Sequence, residues 1–377
     1  MTDCLGNGFI ENDNVDHDYH GLLLVLVIAG ISTASVILFS YVSVIAACGS
    51  DASVPPHLNS ATGTGLAETY TLSKVRSGLV ASDSFTKGNL DNWTVYGSAI
   101  AREAPYKYFE NSTGLYLGIR VTKSSQWAGI FAETPSTNAY LFHATLTLPY
   151  TTISDNQFNT GLYVQTTYNG LVNYVTCVAN VNQSGYYWSV VLATGSQDGA
   201  KDFTTLWADY SRNQPLTRDC TIITNGENYL KVYLDGAAVY SSSTLELTMP
   251  APFYAFVEVQ TTSSSQMRFG AYADYYATLN NDIRIMNGPR GGIVEIIDSS
   301  TGNQIANGTV DWDGTARFDI GSYRMPIKDA LVNIYSSDGR DLIASGTAKL
   351  WGGDVYSVAN QSDEDLKCIT IPNLDPM

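Results

Sequence analysis

Asn228-Tyr229-Leu230-Lys231-Val232-Tyr233-Leu234-Asp235-Gly236-Ala237-Ala238-Val239-Tyr240 spells out a β-hairpin in residue types. Two runs rich in Tyr, Val and Leu flank Asp235-Gly236. An Asp-Gly pair supplies the positive φ angles that a tight two-residue turn needs. Outward from this hairpin the same grammar repeats. Leu141–Leu148 alternates, with Phe142, Ala144, Leu146 and Leu148 on one face and Leu141, His143, Thr145 and Thr147 on the other. Leu162–Tyr168 and Tyr174–Val181 alternate as well. A period of two marks half-buried strands. Many short strands at roughly 8–12-residue spacing point to a sandwich or barrel. The chain has 25 Tyr and 32 Gly, and tyrosine favours pleated, half-buried surfaces. The fold expected over residues 82–283 is all-β, a jelly-roll-like two-sheet sandwich.

Short motifs in this region resemble the concanavalin A-like (laminin G-like) lectin and glucanase sandwiches. Asp83-Ser84-Phe85 with Leu90-Asp91-Asn92-Trp93-Thr94-Val95 is similar to their first strand. Tyr229–Tyr240 is similar to their x-V-Y-x-D-G-x-x-V ribbon, and Met267-Arg268-Phe269-Gly270-Ala271-Tyr272 to their closing strand. The resemblance implies a fold more than a function. Members of the family mostly bind glycans or proteins, and some are glycosidases.

Residues 288–358 carry an internal repeat. Ile293–Ile297 leads through a turn to Gln304–Thr309, and Leu331–Tyr335 leads through Asp338-Gly339 to Leu342–Thr347. Two such units would make a small C-terminal β-sandwich, whereas one lone hairpin barely holds in water. This unit is similar to the carboxypeptidase-regulatory or transthyretin-like modules of microbial surface proteins. Residues 359–377 read as a tail.

Ahead of the strands, Gly21 to Ser50 contains no charged side chain. That is long enough to cross a bilayer, which takes roughly 20 apolar residues. A transmembrane helix is expected over 21–48, after an acidic tail over 1–20 and before a flexible stalk over 49–81 rich in Ser, Thr, Ala, Gly and Pro. The plan resembles that of membrane-anchored cell-surface proteins of prokaryotes, archaea included. The first basic residue after the span is Lys74, too far away for loop charge to set orientation. Sequons at Asn92, Asn111, Asn182, Asn307 and Asn360 all follow the span. With the composition of the strand-rich body, they favour a single-pass protein of the cell membrane with its large domain extracellular. Two processing readings compete with a plain anchor. Ile45-Ala46-Ala47-Cys48 would take a lipid at Cys48, although the expected basic n-region is absent. Cleavage near Gly21 would give a pilin-like filament subunit.

The net charge of −16 and the pI of about 4.5 argue against nucleic acid and against anionic lipid headgroups. The cysteines are Cys4, Cys48, Cys177, Cys220 and Cys368, and their spacings match no zinc site. Cys177 and Cys220 would either pair as a disulfide or stay buried as two thiols. No metal ligand set is legible. Calcium at Asp311-Trp312-Asp313-Gly314, or at a sandwich edge through Asp83 or Asp274, is the one cofactor with any support, and a turn is the simpler reading of the former.

No catalytic residue is assigned. Family glycosidases resemble Glu-x-Asp-x-x-Glu on one strand, with carboxylates at the retaining distance. Phe256-Val257-Glu258-Val259-Gln260 offers a single carboxylate. His143 is expected at the surface, and no Gly-x-Ser-x-Gly elbow is present. Trp93, Trp127, Trp207 and Trp351 are read as core or turn packing. If Val175, Cys177, Ala179 and Val181 face the core, then Tyr174, Thr176 and Asn180 face outward. Tyr163 and Gln165 line the neighbouring strand, and Tyr187 joins them. Tyrosine rings with amide partners stack on sugar faces and hydrogen-bond hydroxyls. The expectation is therefore a non-enzymatic binding or adhesion protein recognising glycan or envelope protein. The alternative is a surface glycosidase or lyase, which two acidic side chains meeting on the ligand-facing sheet would favour.

Overall fold

The computed structural model describes residues 70–360 apart from 88–89, 91, 98–105, 122–126, 155–156, 169, 196–200, 212 and 263–265. The span at 21–48, its flanking tail, Cys48 and residues 361–377 lie outside the described residues. Among the described residues no helix is long and apolar enough to cross a membrane.

Every regular element described is a strand. One seven-stranded sheet runs, in hydrogen-bonded order, Lys201–Asp209, Gly185–Gly195, Leu171–Asn182, Phe158–Tyr168, Tyr254–Thr261, Ala128–Glu133 and Thr94–Gly97. The eight-stranded sheet runs Ala237–Ser242, Leu230–Leu234, Thr217–Thr224, Leu141–Thr147, Arg268–Thr278, Gly114–Ile119 and Tyr106–Asn111, with Leu79–Asp83 added against Arg268–Thr278. The alternation read from sequence decides which side chains lie between them. Phe142, Ala144 and Leu146 face Leu162, Val164, Val175, Cys177 and Val257 in one fully buried cluster, with Trp188 as its largest member. At the hairpin quoted above, Leu234 pairs with Ala237. Asp235 and Gly236 take φ of 51° and 77°, as a two-residue turn between right-twisted strands requires.

Two four-stranded sheets follow. Asn303–Thr309, Ile293–Asp298, Ile327–Tyr335 and Leu342–Leu350 form one, so the two halves of the internal repeat lie side by side as hairpins. The other is Tyr70–Arg76, Val355–Asn360, Asp282–Met286 and Ala316–Asp319. The stalk expected over 49–81 is therefore corrected at its end. Tyr70–Arg76 is a strand paired antiparallel with Val355–Asn360, and Leu79–Asp83 joins the large sandwich. Sequence spacing hid this because the partner of Tyr70 is Asn360.

The small unit does not stand apart. Leu141, Ile223, Tyr233 and Tyr276 point from the outer face of the eight-stranded sheet into a shared core with Ile283, Phe318, Ile320 and Trp351. This covers His143, which is 1 % exposed. The expected surface histidine is thus a buried one, because the small unit packs over its strand.

Candidate functional site on the seven-stranded sheet

The outer face of the seven-stranded sheet carries the side chains left over once the core is filled. In register across neighbouring strands lie Tyr96 and Phe131, then Glu258 opposite both Phe131 and Gly161, then Phe256 opposite both Glu133 and Tyr163. The rings make a ladder. Tyr96 stacks on Phe131 at 5.1 Å, and Phe131 meets Phe256 edge-on at 5.8 Å. Phe256 stacks on Tyr163 at 4.7 Å, and Tyr163 meets Tyr174 edge-on at 5.4 Å. Both offset-stacked and edge-to-face pairs are favourable for the ring quadrupole.

Glu258 sits inside this ladder and is 2 % exposed. Its carboxyl fills the space above Gly129, where a Cβ would stand 2.7 Å from Glu258 Oε1. It is hydrogen-bonded to Gln260 Nε2 and to the Tyr163 hydroxyl. Burial raises its pKa to about 8, against the smaller opposing pull of those two hydrogen bonds. The carboxyl is therefore a neutral acid at pH 7. Glu133, on the adjacent strand, is half-buried and accepts a hydrogen bond from the Tyr96 hydroxyl. Desolvation moves its pKa upward, and the Tyr96 bond partly offsets that. Glu133 pairs with Phe256 and Glu258 with Phe131, so the two glutamates are diagonal neighbours on one face, their backbones roughly 7–8 Å apart by strand geometry.

The six side chains singled out from sequence share this face. Tyr163 and Gln165 lie on Phe158–Tyr168, Tyr174, Thr176 and Asn180 on Leu171–Asn182, and Tyr187 on Gly185–Gly195. They are not equally available. Tyr163 and Thr176 are buried, and Thr176 Oγ1 donates to the Leu162 carbonyl at 2.9 Å. Gln165, Tyr174, Asn180 and Tyr187 are half-buried. Asn180 Nδ2 donates to Ser189 Oγ at 3.0 Å, and Tyr187 packs on Tyr210 at 4.7 Å. Sequence reasoning passed over Glu133, Phe131 and Tyr96, and gave Glu258 no role. The apolar-polar alternation of Phe256-Val257-Glu258-Val259-Gln260, with a carboxylate at a position flanked by core valines, was the available signal.

The remaining candidates are placed as follows. Cys177 and Cys220 are free thiols, both 0 % exposed, with Cys220 lying against Cys177 across the core. Burial and that neighbour push the Cys220 thiol well above its ordinary pKa, so little thiolate forms. We expect both to resist alkylation in the folded protein and to label after denaturation without reductant, as read by peptide mass spectrometry. Labelling that requires reductant would show a disulfide instead. Asn92, Asn111 and Asn307 are exposed and Asn182 is half-buried. Asp311–Gly314 is a turn, closed by Gly314 N–H donating to the Asp311 carbonyl at 3.0 Å. Asp83 accepts from Phe85 N and Trp93 Nε1, and Asp274 pairs with Arg324. Among the described residues no group of three or more His, Cys, Asp or Glu side chains gathers to hold a metal ion.

No known protein family matches the chain, and no curated protein matches it. Solved structures similar to it include a carbohydrate-binding module, CBM2, of the evolved Dit of Lactobacillus casei BL23 phage J-1. The TM-score there is 0.38 with 13% identity, over 56% of this chain and 97% of that one. A glycoside hydrolase family 16 endo-glucanase from Bacteroides ovatus gives 0.38 with 9% identity, over 52% and 99%. A sialidase gives 0.32 with 11% identity, over 54% of this chain, which spans only 19% of that one. Glycosidases recur among these structures. The expectation of a chain without enzymatic activity is corrected accordingly and is not kept.

Proposed function

We propose that the protein binds glycan across the outer face of the seven-stranded sheet and cleaves it there, with Glu258 as general acid and Glu133 as the assisting carboxylate. The observation that carries this reading is a carboxyl buried in an aromatic ladder with a second carboxyl placed diagonally on the same face. Glycoside hydrolysis needs one protonated and one ionised carboxyl group. Burial raises both acids, and the more enclosed of the two is the better proton holder. Here burial keeps the proton on Glu258, while Glu133 is the less enclosed of the two. The rings of Tyr174 and Tyr187 would hold the sugar faces.

The apolar span at 21–48 would tether this activity to the membrane, with the sandwich outside. Retention of the polymer by the same rings would give the adhesive role expected from the tyrosine-bearing face.

The test is the full chain in detergent against neutral β-glucans, xyloglucan and mannans. Reducing ends and the anomer first released would be followed by NMR. Tyr174→Ala should weaken binding by about 0.5–1.5 kcal/mol, the scale of one ring contact beyond its area. Binding without release of reducing ends would overturn the hydrolytic half of the reading. Unchanged turnover in Glu133→Gln would overturn the pairing of Glu258 with Glu133.

A further inference from the structure

A cavity of about 250 Å³ lies where the outer face of the eight-stranded sheet meets the turn after Ala316–Asp319. His143, Asp219, Thr221 and Asp235 line it from the sandwich, and Tyr323 and Arg324 from the small unit. It is on the opposite side of the sandwich from Glu258, since His143 and Glu258 point away from the shared core in different sheets.

Most polar groups here are already matched. Asp219 Oδ1 accepts from Thr145 Oγ1 at 2.6 Å, and its other oxygen lies 3.7 Å from Arg324. Asp235 accepts from Asp219 N at 2.9 Å and from Arg218 at 3.1 Å. Arg324 also pairs with Asp274. The exception is His143. Its ring stacks on Tyr276 at 4.3 Å, and Nδ1 is 2.9 Å from Thr221 Oγ1. Nε2 has no hydrogen-bond partner although the side chain is 1 % exposed. The nearest carboxylate oxygen, of Asp219, is at 3.9 Å, beyond hydrogen-bonding range. A buried polar atom without a partner is rare and calls for a reason.

The surroundings define what would supply the missing bond. Burial, with Arg324 helping and Asp219 opposing, lowers the imidazole to a pKa of about 4, so it is neutral at pH 7. A hydroxyl satisfies either tautomer of a neutral imidazole, because it both donates and accepts. The carboxylates are paired, so a cation gains little. Asp219, Asp235 and Asp274 together turn away an anion. The volume is below that of a drug-sized pocket, with room for one ring and not for a chain. We propose that this cavity is a subsite for a single uncharged sugar ring, held by a hydroxyl on His143 Nε2. It is independent of the hydrolytic face.

The test uses the imidazole as its own reporter. The chain has four histidines, and His17, His20 and His57 all precede residue 70. Loss of a signal in His143→Phe assigns the His143 resonances in nitrogen-15 spectra. D-glucose, D-galactose, D-mannose and N-acetylglucosamine would each be titrated to ~50 mM, enough to fill a site of millimolar Kd. At least one should move the His143 Nε2 resonance along a saturable curve. Glu258→Gln should leave that response unchanged, which separates this site from the other face. His143→Phe keeps a ring on Tyr276 and should reduce sugar binding at least tenfold by saturation-transfer NMR. If that variant fails to fold, replacing His17, His20 and His57 by Gln leaves His143 as the one imidazole, and the titration of that protein decides. A resonance that no sugar moves, or one moved only by acetate or methylammonium, overturns the proposal.

Discussion

Glu258→Gln is expected to make the protein more stable at pH 9 and to leave its stability at pH 5 almost unchanged. The folded-state pKa of Glu258 is raised from 4.5 to about 8 by burial. The native state therefore holds a proton that the unfolded chain releases above pH 4.5. Stability from this group is fully present below pH 4.5, falls as pH rises toward 8, and is flat beyond, once both states are ionised. A tenfold difference in proton affinity between the two states is worth about 1.4 kcal/mol, so the loss across that window is on the order of 5 kcal/mol. Glutamine keeps the shape and the Gln260 contact and carries no proton to lose. Urea denaturation of the two proteins should give midpoints equivalent to within about 1 kcal/mol at pH 5 and diverging by several at pH 9. Other titrating groups act on both proteins alike, so the difference belongs to Glu258. Parallel curves from pH 5 to 9 would mean that the carboxyl is not held neutral, and the proposed acid would go with it. Turnover should fall in the same variant by roughly 10²–10⁴-fold, the usual worth of a placed general acid. Stability that rises while activity falls is what a functional carboxyl in a dry site predicts.

The contrast between Glu258 and Tyr174 shows what sequence could and could not disclose. Tyr174, Thr176 and Asn180 were legible because outward-facing residues alternate with core residues along one strand, a period that a single segment displays. The positive-φ turn at Asp235-Gly236 was legible for a similarly local reason. Glu133 and Glu258 meet only because Ala128–Glu133 and Tyr254–Thr261 are adjacent and in a particular register. Register between segments so far apart is set by the whole sheet. No motif on one strand announces it. His143 failed for another non-local reason. The alternation placed it correctly on the outer face of its sheet, but a half-buried pattern does not say what will later cover that face. Ile283, Phe318, Ile320 and Trp351 of the small unit do so. The strand Tyr70–Arg76 was missed because its burial is intermediate to exposed throughout, which leaves little hydrophobic signal above a polar linker.

Besides its ladder with Val355–Asn360, that strand is tied down by one buried carboxylate, and removing it should be the most damaging single change in the small unit. Asp354 is 0 % exposed. Its Oδ1 accepts from Gly78 N at 2.8 Å. Its Oδ2 accepts from Trp351 N at 2.9 Å and from Lys74 Nζ at 2.6 Å. Gly78 can approach this closely only because it lacks a side chain, since a Cβ there would stand 1.9 Å from the Gly352 carbonyl. Asp354→Ala strands two buried amides at once, while Lys74 keeps solvent and the Lys349 carbonyl, 2.9 Å from its Nζ. Leaving a buried amide without its acceptor costs about 1–3 kcal/mol, and two are left so here, whereas the partly exposed Lys74 adds little. Asp354→Asn preserves shape and should cost less, leaving a neutral acceptor for the amides but no charge for Lys74. In a Lys74→Met background, Asp354→Ala should cost less again, because the ammonium is already gone, and the coupling is measured by the double-mutant cycle. Chemical denaturation gives the energies. Limited proteolysis between residues 70 and 78 reports whether the strand has left Val355–Asn360. A loss below about 1 kcal/mol in Asp354→Ala would place the pair among surface salt bridges and would leave the backbone ladder as what holds Tyr70–Arg76 to Val355–Asn360. The consequence reaches the proposed tether. A pull transmitted through residues 49–69 enters the fold at Tyr70, so the Lys74–Asp354 contact is where the small unit would resist it.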